Sequence, residues 1–197
     1  MSKLHQIVAQ INTNLTQAGG QFDSKRFQKG RFTGIAELVT KVDDETRQTM
    51  PAVIDNSGDA TIITKDDSFP FELYHRHLSS TMTDVEGDDD FGDLHIREET
   101  ANMLMVVMGD RQRLKLNKED IITGITLGMP NELGQAFLTT NSLVGVEIIQ
   151  GEFNLNKEEV WLSEFNTEVM AKPADIFFSL NYLVVTRTWT TCIEICE

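Results

Sequence analysis

Cysteine is scarce in this sequence: Cys192 and Cys196 are the only two among 197 residues. Four positions apart in an extended strand, they lie about 13 Å from one another, far beyond disulfide reach. They read as thiols, which suits a reducing compartment. Long apolar runs are missing too, and none approaches the roughly 18 to 20 residues that cross a bilayer. The opening MSKLHQIVAQ carries a polar residue at every second or third step, so it lacks the apolar centre of a secretory signal. The expectation is a soluble chain, made and kept in a cytoplasm, with no membrane contact. Basic residues are few, 17 against 31 acidic, which leaves a formal charge of −14. That balance argues against wrapping nucleic acid over most of the surface.

The signatures of common chemistries are also lacking. There is no Gly-x-Ser-x-Gly, CxxC or HExxH, and Gly124 to Gly128 is not followed by Lys-Ser or Lys-Thr, so it is no phosphate loop. No apolar frame singles out a pair of carboxylates for acid–base work. No catalytic residue and no cofactor is expected, and the chain is read as a non-enzyme.

What is present is enough for a core: 40% of the residues are hydrophobic and 24% charged, as in a globular chain. Leu4, Ile7, Val8, Ile11 and Leu15 recur at spacings of three and four, an amphipathic helical stripe stopped by Gly19-Gly20. Residues 21–34, polar and punctuated by glycine, read as a loop. Ile35 to Val42 suits strand or helix, with strand preferred. Pro51 to Ile54 and Ala60 to Thr64, joined through Asn56-Ser-Gly-Asp59, read as a hairpin. Phe69 to Leu78 alternates as a strand with Pro70 at its start, and His95 to Met108 follows as another. Asn117 caps a second helix near 118–129, with Asp120 in its first turn and Pro130 beyond it. Leu143 to Phe153 returns to strand, Glu158 to Phe165 fits either period, and Ile176 to Cys196 is one long strand or two bent ones. The expected fold is a single α+β domain over 1–197, with a mainly antiparallel sheet and an extended acidic loop at about 84–93.

Several clusters invite a chemical reading. His75 and His77 alternate on one strand face and, with His95, form the possible metal site of a metal-binding domain or metal-dependent enzyme. Histidines of a sheet face or subunit contact are the preferred reading, because the sequence has four in all and no second ligand motif. Asp84, Glu86, Asp88, Asp89, Asp90 and Asp93 do not follow EF-hand spacing, so they read as a solvated loop facing a channel or a partner. Lys25, Arg26, Lys29 and Arg31 lie among phenylalanines, and Arg111, Arg113 and Lys115 alternate as if on one strand face. In so acidic a chain both basic groups are expected to meet acidic patches of a neighbouring subunit.

The order of elements resembles the connector and tail-completion proteins of tailed bacteriophages, the tail terminators and neck-ring subunits. The features that carry the likeness are the Leu4 to Leu15 helix, strands around Pro51-Ala-Val, the charged 84–93 loop, the helix at 118–129, and the closing strand Tyr182-Leu-Val-Val-Thr-Arg-Thr-Trp-Thr190. The resemblance implies a homo-oligomeric ring at the head-to-tail junction that lines or closes the DNA channel and takes part in genome ejection. It also implies neighbouring portal, connector or tail proteins, assembly in the host cytoplasm, a place in the virion and no catalysis. Carboxylates lining such a channel would repel phosphates and let double-stranded DNA pass without sticking.

Overall fold

The computed structural model describes residues 2–17, 19–23, 30–43, 46–54, 60–63, 70–85, 96–165 and 177–196. Helix α1 (Lys3–Thr16) starts where the Ser2 hydroxyl accepts the backbone N–H of His5, and its buried residues are Leu4, Ile7, Val8, Ile11 and Leu15. The chain then turns back so tightly that a Cβ on Gly20 would sit 2.7 Å from the carbonyl oxygens of Asn14 and Leu15. Phe22 is thereby returned to the core, its N–H donating to the Leu15 carbonyl.

Among the described residues seven strands form one sheet in the order β3-β2-β1-β4-β5-β7-β6. They are β1 (Arg31–Asp43), β2 (Thr46–Ile54), β3 (Ala60–Ile62), β4 (Phe71–Val85), β5 (Ile96–Asp110), β6 (Gly145–Asn154) and β7 (Tyr182–Cys196). Every pairing is antiparallel except β1 with β4, which run parallel. The architecture is therefore mixed α and β around a mostly antiparallel sheet. The described residues hold four more helices: α2 (Arg111–Leu114), α3 (Lys118–Gly128), α4 (Gln135–Thr140) and α5 (Lys157–Glu164). None of the described helices is long and apolar enough to cross a membrane.

The pleat sends alternate residues to opposite faces, and each face has its own core. Phe71, Leu73, Met103, Met105, Val107, Val185 and Trp189 pack under α1, α3 and α4. Tyr74, Val106, Met108 and Val184 face the other way, against Val160, Trp161, Phe165 and Phe177. Trp161 stacks on Phe165 at 5.1 Å between ring centroids. Being covered twice explains why Met103 to Met108 is apolar at every position, where a sheet wet on one face would alternate.

Three expectations from sequence are corrected, and one left open is resolved. The 21–34 loop ends early, because Arg31 already opens β1 opposite Glu72. Asp84 belongs to β4 and not to a loop. The ambiguous 158–165 stretch lies in and just beyond helix α5, capped by Asn156, whose side chain accepts from Glu158 and Glu159. Arg111, Arg113 and Lys115 do not share a strand face. Arg111 and Arg113 are in the single turn α2, capped by Asp110, and Lys115 ends it in the left-handed region at φ 53°. The Asn56–Asp59 turn lies outside the described residues.

Candidate functional site

The relationship that distinguishes this sheet is a parting of strands. β1 and β4 pair only over Arg31–Ala36 and Glu72–Arg76. Beyond that point β1 pairs with β2, while β4 continues against β5 as far as Val85. A cleft of about 580 Å³ opens where they part, beside the start of α1, and its lining includes His5, Ile35, Leu38, Arg76, His77 and Glu99. A register shift between His77 and Ser79 adds a bulge at the same place, which is where bulges commonly end one pairing and start another.

Past the bulge, β4 is an arm. Residues 77–84 are all exposed, so neither face of this stretch is covered. Leu78 is 51% and Met82 60% exposed. Ser79, Thr81 and Thr83 fall in register with Asn102, Thr100 and Glu98 of β5, which oppose Thr190, Cys192 and Glu194 of β7. One face of the arm is therefore a field of hydroxyls ending in acids. Glu98 and Glu194 are directly opposed, an arrangement of like charge that costs stability. They line a second cleft of about 470 Å³ with Glu132, Glu147 and Cys192. On the other face the Arg97 Nε donates to the Asp84 carboxylate at 3.0 Å.

The predicted histidines are drawn apart. His75 is wholly buried, with Nε2 3.0 Å from the side-chain amide oxygen Oδ1 of Asn12 and its ring edge-on to Trp189 at 5.7 Å. Burial pushes its pKa down to about 3, so the ring is neutral and Nε2–H is the donor. Its Nδ1 is buried with no hydrogen-bond partner among the described residues. His77 is exposed, its Nε2 2.7 Å from the Ser80 hydroxyl, and His95 lies outside the described residues. Among the described residues no group of three or more His, Cys, Asp or Glu is placed to hold a metal.

Of the acidic group only Asp84 is described; Glu86, Asp88, Asp89, Asp90 and Asp93 lie outside the described residues, as do Lys25, Arg26 and Lys29. Arg31 is described, and it is committed inward, to Glu72. Cys192 is a free thiol.

Two buried polar groupings were not legible beforehand. Glu164 at the end of α5 accepts from the Tyr74 hydroxyl at 3.2 Å and from Arg76 at 3.1 Å. Burial raises the Glu164 pKa, with the Arg76 guanidinium pulling the other way, and burial together with Glu164 raises that of Tyr74. Arg187, nearly buried, donates to the Gly151 carbonyl at 3.2 Å and lies 4.3 Å over the Phe153 ring. The only advance signal was a charged residue inside an apolar period, Arg76 between His75 and His77 and Arg187 within the last strand. Each bonds a residue remote in sequence, Arg76 through one terminal nitrogen to Glu164 and Arg187 through Nε to Gly151.

No family model matches the chain, and no curated protein matches it.

Proposed function

We propose that this chain is a structural subunit that assembles with copies of itself into a ring at the head-to-tail junction of a tailed bacteriophage. There it lines or closes the DNA channel within the virion, after assembly in the host cytoplasm, and carries out no catalysis. The observation that supports this most directly is the β4 arm. A strand of this length, bare on both faces and paired along only one edge among the described residues, leaves backbone hydrogen-bonding groups and apolar side chains for another chain to cover. The formal charge of −14 suits a wall past which double-stranded DNA must slide. Portal, connector or tail proteins are the neighbours such a ring would have.

Light scattering on a size-exclusion column, followed by electron microscopy of the same fractions, tests the reading. Closed rings several-fold heavier than 22.2 kDa, free of stoichiometric metal, are expected. A monomer at high concentration, with or without candidate partner proteins, would sink it. Stoichiometric zinc, iron or manganese that disappears on His77→Ala would favour the metal-binding reading of His75, His77 and His95 instead.

A further inference from the structure

We infer that the free edge of β4, from Leu78 to Val85, pairs antiparallel with the same edge of a second copy, centred on Thr81. The inference rests on the self-assembly part of the reading above and names one contact of it; being two-fold it joins copies in pairs, and closing a ring takes a further, head-to-tail contact.

Three observations carry it. First, the edge is available: β1 leaves β4 after Arg76, β5 continues to Val85, and among the described residues nothing pairs with the opposite side. Second, the edge lacks the usual protection. Natural edges are blunted with lysine, proline or inward-pointing charge; Leu78 to Val85 contains no lysine or proline, and its only charge, Asp84, is engaged by Arg97. The bulge falls on Leu78, the residue without a partner between His77 and Ser79, and from Ser79 to Val85 the strand runs in regular register.

Third, the edge is complementary to itself. In an antiparallel pairing about Thr81, Ser79 faces Thr83 of the second copy, Thr81 faces Thr81, and Ser80 faces Met82. Cross-strand Thr–Thr and Thr–Ser pairs are favourable in antiparallel ladders. Asp84 falls opposite Leu78, so no like charges are opposed across the new ladder. Glu98 and Glu99 stand one strand further in, on β5. The product is a continuous sheet through both copies, with a two-fold axis at Thr81 and an isologous interface. The Thr81 side chain is exposed, so replacing it disturbs no core.

The test uses the full chain. Thr81→Lys sets two lysines against each other at the axis and is expected to raise the dissociation constant of the pair about tenfold or more. By light scattering the assembled mass should halve, while the circular dichroism spectrum stays as in the parent and the melting temperature falls only by what pairing lends the parent, a gap that widens with protein concentration. In a Cys192→Ser, Cys196→Ser background, Thr81→Cys is expected to form a disulfide-linked dimer on mild oxidation. Thr190→Cys, on the same face but two strands inward, should not. A parent that assembles while Thr81→Lys leaves its mass unchanged and Thr81→Cys stays uncrosslinked overturns this contact and leaves the ring standing. A parent dimer that Thr81→Lys dissolves supports the contact and removes the ring. A parent found only at 22.2 kDa overturns both.

Discussion

Asn12 of α1 and His75 of β4 are joined by a 3.0 Å hydrogen bond although 63 residues separate them, and the same amide holds the Thr33 carbonyl at 2.9 Å through its nitrogen. One side chain thus ties the first helix to two adjacent parallel strands just below the point where they part. Removing it would strand the buried His75 Nε2–H, and an orphaned buried donor costs about 1–3 kcal/mol. Asn12→Ala is expected to lose that much in urea unfolding. Asn12→Asp should also be destabilising, since it puts a carboxylate into a half-buried site. Unchanged midpoints for both variants would show that the pair does not hold the helix.

His75 also predicts a pH dependence. Its pKa is depressed to about 3 in the folded chain from 6.5, so unfolding takes up a proton at any pH between those values. The stabilisation is complete above about 6.5 and is lost as pH falls toward 3, at roughly 1.4 kcal/mol per pH unit. His75→Gln keeps a donor for Asn12 and does not titrate. The difference between parent and variant stability should therefore shrink or reverse in sign between pH 7 and pH 4.5, and a difference independent of pH would count against a neutral, buried imidazole.

Arg76, partly exposed, pairs at 3.1 Å with Glu164, which is buried. Deleting one partner of such a pair leaves an uncompensated charge and costs about 3–5 kcal/mol. Arg76→Met should show that loss at pH 7. Glu164 already has a raised pKa from burial, and without the guanidinium it rises further, so the carboxyl takes up a proton and the deficit narrows as pH falls. Chemical denaturation of parent and variant at pH 7 and pH 4.5 checks this, and an equal deficit at both would contradict it.

Gly151 is fixed by contact. A Cβ there would lie 2.3 Å from the Thr188 hydroxyl and 2.8 Å from the Thr188 carbonyl oxygen; the hydroxyl can rotate away, the carbonyl cannot. Gly151 lies in a register shift of β6 between Gln150 and Phe153, and Phe153 beyond it sits beneath Arg187. Gly151→Ala is expected to cost about 1–3 kcal/mol through overpacking. The near-ultraviolet circular dichroism of the aromatic residues should change with it, and a variant as stable as the parent would refute the close approach.

Much of the local structure was legible from neighbours along the chain. Asn117 caps α3 as expected, and Asp120, expected only in the first turn, also accepts the Asn117 backbone N–H; both are local, because a capping box needs only four consecutive residues. The alternation of Phe71, Leu73 and His75, and the β-branched run from Val184, gave strands for the same reason. Arg111 to Lys115 misled because a basic residue at every second position mimics a strand, while Asp110, able to cap a turn, was overlooked. That β1 lies parallel beside β4 and then abandons it, that His75 is sealed under Asn12 while His77 two residues on is in solvent, and that Glu164 meets Tyr74 and Arg76 were decided by tertiary structure alone. Short-range periodicity determines which face a residue takes on its own element; whether that face is covered, open or opposite a distant charge depends on contacts between segments tens of residues apart, and no local window contains them.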